Sequence, residues 1–159
     1  MASSPSIRVW RICNAKWAAT AFDGTGAKLY GGRWNPIGVS VVYTSSSLAL
    51  ATLELLVHLG VKASPQAYVA IAADIPSSIA VEQVDKSSLP ADWRTDPPPL
   101  TLATIGEEWV SRGESAVLQV PSAVIDEEWN YLLNPQHPDF AQIATGTTKE
   151  FQFDSRLFN

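Results

Sequence analysis

Residues 39–60 read VSVVYTSSSLALATLELLVHLG. The first third, Val39 to Ser45, is dense in β-branched and aromatic side chains, which fit the pleated backbone of a strand. Serines 45 to 47 follow, then an apolar run of good helix formers that meets no Gly or Pro until Gly60. A serine hydroxyl able to accept from free first-turn amides, an apolar run and a glycine stop together predict a helix over Ser45 to His58. The helix is apolar nearly all round, so it is expected to be deeply buried. A strand that passes straight into such a helix excludes an all-α and an all-β chain.

Outward from this unit, strands outnumber helices. Ile7 to Cys13, Gln66 to Ile75 and Ser115 to Val120 read as strands, and the aromatic tail Phe151 to Phe158 as a last one. Ser78 to Asp85 is expected to pair with Gln66 to Ile75 through the Pro-Ser-Ser turn between them. Ala15 to Phe22 reads as a short helix, and Leu102 to Arg112 as a longer one ending at Gly113. Asp23 to Gly26 is a turn by composition, Gly31 to Asn35 is extended, and Asn134 to Pro138 is a rigid turn. The three prolines within Asp92 to Pro99 predict an irregular loop. Helices interrupt the strands without regular alternation. That favours an α+β domain with a mixed, mostly antiparallel sheet and flanking helices over a βαβ succession. The expected organisation is a single domain over 7–159 behind a short flexible N-terminus, 1–6.

The bulk numbers narrow the function classes. Of 159 residues, 46% are hydrophobic and 17% charged, with a net charge of -5. An acidic chain is a poor partner for a phosphate backbone, so direct nucleic-acid binding is not expected. The small charged fraction and the apolar tail point to a surface covered by a partner or a second copy. One cysteine, Cys13, excludes a disulfide framework, and the apolar run around it suggests a packed thiol. No stretch is apolar for the length of a membrane span, and the first residues do not read as a signal peptide. The default compartment is the cytoplasm. The two histidines, His58 and His137, stand in no metal spacing, so no metal is expected. No nucleophile-elbow motif and no Walker loop are present. The paired acids Glu107–Glu108 and Glu127–Glu128 read as solvated faces.

Four residues carry candidate chemistry. Glu54 lies between leucines in the apolar helix, and a buried carboxylate needs a cationic or hydrogen-bonding partner. It either occupies a solvent-facing stripe or points into a pocket. Arg33 is the natural partner. It follows Gly31 and Gly32, which allow close approach, and precedes Trp34, which would anchor the segment in the core. A planar guanidinium in so fixed a setting suits a phosphate or carboxylate; the bland alternative is a structural Arg–Glu pair. Tyr43, at the strand end before the helix, could stack on a flat ligand, orient one through its hydroxyl, or be a core tyrosine. Ser122, after Pro121, could donate to a ligand oxygen or be turn chemistry.

The segments GGRWNPIG (31–38), VVYTSSSLALATLELLVH (41–58) and QVPSAVIDEEWNYLLNPQHPDF (119–140), in that order, resemble the RES domain family. VWRI with Arg11, Asn130, Asn134, Pro135 and the tail FDSRLF extend the match from about Arg8 to Phe158. The arginine, glutamate and serine that name the family map onto Arg33, Glu54 and Ser122. The resemblance implies an ADP-ribosyltransferase-like fold and the toxin of a bacterial toxin–antitoxin pair that degrades NAD as substrate, with no resident cofactor. It implies a helix-turn-helix DNA-binding antitoxin as partner. Arg33, Glu54 and Ser122 would be catalytic; Arg11, Tyr43 and Asn130 would bind substrate. Arg33 helped by Arg11 would clamp the diphosphate, Glu54 would stabilise the cationic ribose, and Ser122 would position the ribose or the amide. The alternatives are transfer of ADP-ribose to a protein and a catalytically silent ADP-ribose-binding module.

Overall fold

The computed structural model describes residues 5–60 and 67–158. In chain order the elements are β1 (Ile7–Asn14), a 3₁₀ helix (Ala15–Thr20), α1 (Thr25–Tyr30), β2 (Val42–Ser45), α2 (Leu48–Leu59) and β3 (Tyr68–Ile75). They continue with β4 (Val81–Gln83), α3 (Leu100–Arg112), β5 (Val117–Pro121), β6 (Trp129–Leu133), β7 (Ala144–Thr145) and β8 (Lys149–Phe151). Further 3₁₀ turns lie at Lys86–Ser88, Pro138–Gln142 and Ser155–Phe158. Residues 1–4 of the expected flexible N-terminus, and Gln66 at the expected start of β3, lie outside the described residues.

The sheet order is β4-β5-β6-β2-β1-β3-β7, with β8 also on β3. Only β4 and β5 run parallel; every other pairing is antiparallel. The mixed, mostly antiparallel α+β sheet is therefore as expected. Its outer halves zip over long ladders, from Ile7↔Ile75 to Asn14↔Tyr68 on one side and from Val117↔Leu133 to Pro121↔Trp129 on the other. In the middle, β1 and β2 meet in register only at Trp10↔Ser45. This seam positions the site, because α2 springs from the end of β2 beside it.

Alternation along the strands covers both faces of the β5–β6 half. Val117, Tyr131 and Leu133 join a core with Val9, Ala73 and Ile75. Leu118, Val120 and Leu132 face the other way, into a core with Trp34, Trp93, Leu102 and Trp109. The second core carries α3 and the Arg33 segment.

Local chemistry fixes the helix ends. The Ser47 hydroxyl accepts from the Leu50 amide at 3.0 Å and caps α2; Gly60, at φ 63°, ends it. Gly113 ends α3 in the left-handed conformation. Several expectations give way. Ala15–Thr20 is 3₁₀, and the turn expected over Asp23 to Gly26 runs at Thr25 into the short helix α1, which was not foreseen. Gly31 to Asn35 is a tight turn with one bridge, Gly32↔Asn35, not a strand. The β4 strand pairs with β5 and not with β3: in the parallel register Val81↔Val117, the partly buried Val81 packs on the first core. The tail ends as one short strand and a 3₁₀ turn. Most plainly, α2 is not deeply buried: Leu50 and Ala51 are, but Leu53 is exposed and Val57 is 59% exposed. One face of α2 packs on Ile12, Tyr68 and Ala70, and the opposite apolar face is open. Among the described residues no helix is long and apolar enough to cross a membrane.

Candidate active site

Glu54 stands half-buried on α2, about two turns past the capped start. Its Oε1 accepts from the Ser122 hydroxyl at 2.7 Å and from the Asn130 amide at 2.6 Å. Asn130 lies on β6 directly opposite Ser45 of β2, and its Oδ1 accepts from the Ser45 hydroxyl at 2.7 Å. The sheet register thus lines up a relay of neutral donors, Ser45 to Asn130 to Glu54. No described residue bonds the second carboxylate oxygen, and Glu54 forms no ion pair among them. One oxygen is held; the other is left for a ligand.

Ser122 is fully buried, and its hydroxyl is fully used. It donates to Glu54 and accepts from the amides of Val124 and Ile125 at 3.1 and 3.0 Å. A hydroxyl has one proton to give and two lone pairs to offer, so nothing remains for a substrate. Where the resemblance implied contact with the ribose or the amide, Ser122 in the unliganded chain bonds Glu54 and two loop amides. Arg94, which sequence reasoning missed, secures the loop that follows by donating to the carbonyls of Ala123 and Val124 at 2.9 and 3.2 Å.

Arg33 is held differently. Its Nη1 donates to the carbonyls of Trp93 and Thr95, at 2.8 and 2.9 Å, in the proline-rich loop before α3. Burial pushes the guanidinium below its usual value, and the nearby charges of Asp96 and Glu54 pull it back. Arg33 and Glu54 therefore act on one another through space, yet they do not form the direct ion pair expected from the sequence. Carbonyls neutralise no charge, so the cation has no described counter-ion in contact. Nε and Nη2 make no hydrogen bond to described residues.

Beneath Arg33 lies a hub. Asn35 is 1% exposed and donates through Nδ2 to the carbonyls of Ala27, Pro36 and Val39 at 2.9, 3.1 and 3.1 Å. Its Oδ1 accepts from the Tyr43 hydroxyl at 2.6 Å, and that hydroxyl accepts from the Trp34 amide at 3.1 Å. Burial holds the Tyr43 hydroxyl far above its ordinary titration range. The hydroxyl is therefore structural, and only the ring remains to meet a ligand. Gly32 is explained by the same contact: a Cβ there would stand 2.6 Å from the Tyr43 oxygen. The space cleared at Gly32 belongs to Tyr43 rather than to a ligand, while Gly31, at φ 71°, makes the turn. Trp34 is 3% exposed in the core, as its anchoring role requires.

Arg11 crosses the seam. Beyond Trp10↔Ser45, where the ladder stops, its Nη1 donates to the Tyr43 carbonyl at 3.2 Å. Its Nε is buried with no hydrogen-bond partner among the described residues, and burial lowers its proton affinity. The structure makes Arg11 a brace for β2 and does not bring it into contact with Arg33. Asn35 escaped sequence reasoning although it stands in the quoted motif; an asparagine in a buried tight turn was the signal.

The RES domain family model matches residues 8–154. Among similar proteins, Toxin Res of Photorhabdus laumondii is 40% identical over 150 residues, covering 94% of this chain and 96% of that one. The Prs ADP-ribosylating toxin of a Sphingobium species is 35% identical over 152 residues, covering 93% of this chain and 94% of its own. In the crystal structure of the M. tuberculosis MbcT–MbcA toxin–antitoxin complex, one chain shares the fold. It has a TM-score of 0.76 and 16% identity, over 98% of this chain and 88% of that one.

Proposed function

The chain belongs to the RES domain family, and from that premise we propose that it is the toxin of a toxin–antitoxin pair that depletes NAD by cleaving the nicotinamide–ribose bond. The observation that carries the reading is a carboxylate with one oxygen tied and one open, within electrostatic reach of an arginine that has no counter-ion in contact. Breaking this glycosidic bond leaves positive charge on the ribose ring while nicotinamide departs neutral. A fixed carboxylate lowers that barrier, provided the dinucleotide is held still. Glu54 meets the ribose and its developing charge. Arg33, through its unbonded Nε and Nη2 edge, holds the diphosphate as a planar fork. The Tyr43 ring borders the nicotinamide. Ser122, Asn130 and Ser45 keep Glu54 in one rotamer and, being neutral, leave its charge intact for the sugar. Arg11 supports the strand beneath. An acceptor, water or phosphate, then takes the anomeric carbon.

A second reading, transfer of ADP-ribose to a protein, is favoured by the name of the Sphingobium relative. A silent ADP-ribose-binding module has less support, since the ordered donors around Glu54 serve a reaction better than a grip. The partner in this proposal is an antitoxin of the helix-turn-helix, DNA-binding kind. A toxin–antitoxin complex contains the chain of like fold, and the open apolar face of α2 beside Glu54 offers a surface for it or for a second copy. The purified chain incubated with NAD should release free nicotinamide, and Glu54→Ala should slow release by about a hundredfold or more while remaining folded. Parental release by Glu54→Ala would refute the assignment. Protein carrying added ADP-ribose in mass spectra, in step with nicotinamide, would select the second reading.

A further inference from the structure

A glycine in the middle of a helix costs about 1 kcal/mol relative to alanine, so its presence calls for a packing reason. Gly106 is such a residue: it is buried in the middle of α3. A Cβ on it would stand 1.7 Å from the Trp34 carbonyl oxygen and 2.9 Å from the Trp34 carbonyl carbon. Both atoms are backbone and cannot swing aside as a side-chain end would. The helix therefore seats directly on the Trp34–Asn35 peptide, one residue past Arg33.

Two other restraints act on the same few residues. The Tyr43 hydroxyl takes the Trp34 amide and is itself tied to Asn35. The carbonyls of Trp93 and Thr95, in the loop that leads into α3, take the Arg33 guanidinium. Trp34, Trp93, Leu102 and Trp109 share one core, so helix, loop and turn move together or not at all. We infer that Gly106 is a positioning residue for the reaction: the seat of α3 on the Trp34 carbonyl sets where the Arg33 guanidinium stands relative to Glu54. This rests on the reading of Arg33 as the group that holds the diphosphate. The side chain of residue 106 does not touch substrate, so its effect belongs in substrate capture more than in bond breaking.

The test uses the full chain with Gly106→Ala and, as a milder disturbance of the same turn, Tyr43→Phe, which keeps the ring and removes the hydroxyl. Two readouts are taken, nicotinamide release as a function of NAD concentration, and nuclear magnetic resonance of the unliganded protein. In Gly106→Ala, KM for NAD should rise more than kcat falls, with kcat/KM down on the order of a hundredfold, as expected for a misplaced binding group. The Arg33 Nε–H signal should shift and the Trp34 amide should exchange faster, while amides of β3 stay protected. Tyr43→Phe should change both readouts in the same direction, by less. A parental KM, or a parental Arg33 signal, in Gly106→Ala overturns the inference, and so does a change confined to one readout. If Gly106→Ala does not fold, Tyr43→Phe decides by the same criteria. If the parent chain releases no nicotinamide, the functional reading fails, and the Arg33 signal in Gly106→Ala alone decides whether α3 positions that side chain.

Discussion

The two charged groups of the site are held by opposite means. Glu54 is fixed by side chains: Ser122 and Asn130 donate to one of its oxygens, and Ser45 orients Asn130. Arg33 is fixed by backbone: carbonyls of a loop take the guanidinium, a buried asparagine binds three carbonyls below it, and a helix glycine abuts the Trp34–Asn35 peptide. The difference follows from what each group needs. In the proposed reaction, a carboxylate held by neutral donors is left to face a cationic ribose, and a guanidinium held by carbonyls is left to face a diphosphate. Had the two been paired directly, each would have cancelled the other.

Disturbing the acid side should have the larger consequences. Ser122→Ala removes one of the two donors to Glu54 and leaves the Val124 and Ile125 amides without their acceptor. It should lower stability by about 0.5–1.5 kcal/mol, measured by urea unfolding, because the groups left behind are half-buried or exposed and water can reach them. Nicotinamide release should fall at least about tenfold, the equivalent of about 1.4 kcal/mol in the barrier. Asn130→Ala, at a half-buried position open to water, should show a similar loss of activity with less loss of stability. If both variants keep parental activity, donors do not hold Glu54 for the reaction and the contrast breaks.

The arginine side should show itself in pH dependence, a smaller effect. Burial raises the Tyr43 hydroxyl above its ordinary value of 10.0. The folded chain therefore keeps this proton where the unfolded chain loses it. Stability from this group is intact below about pH 10 and declines as pH climbs beyond it. Alkaline unfolding of Tyr43→Phe should show a shallower decline than the parent, from a lower starting stability. Equal slopes would mean that the Tyr43 hydroxyl is not sealed in the Asn35 hub.

The same contrast explains what the sequence disclosed. Elements with local signals were legible: the Ser47 cap and Gly60 stop of α2, the Gly113 stop of α3, the β-branched run of β3 and the proline-rich loop. Non-local features were not. The strand β4 chose β5 over β3 through a parallel register that no turn motif announces, and β6, which supplies Asn130, was not recognised as a strand. Composition gave α2 as apolar all round but could not say that one face stays open. At the site, Glu54 and Arg33 stood out because a charge among leucines and an arginine after two glycines need reasons. Ser122 stood out only as a serine after a proline, and Asn130 came from family resemblance; in the structure both bond Glu54. Asn35 acts through carbonyls of its own and neighbouring turns, and Gly106 through a backbone atom of Trp34 far away in the chain; a single residue type announces either poorly.

The claim beneath all of this is that Glu54 and Arg33 serve the nicotinamide ribose and the diphosphate of one dinucleotide. A crystal structure of Glu54→Gln with NAD, a variant that should bind without turning over, tests it most directly. The account predicts the nicotinamide ribose within hydrogen-bond distance of residue 54 and the diphosphate on the Nε and Nη2 edge of Arg33. A dinucleotide bound away from either residue, with both side chains left as they stand in the unliganded chain, would contradict it.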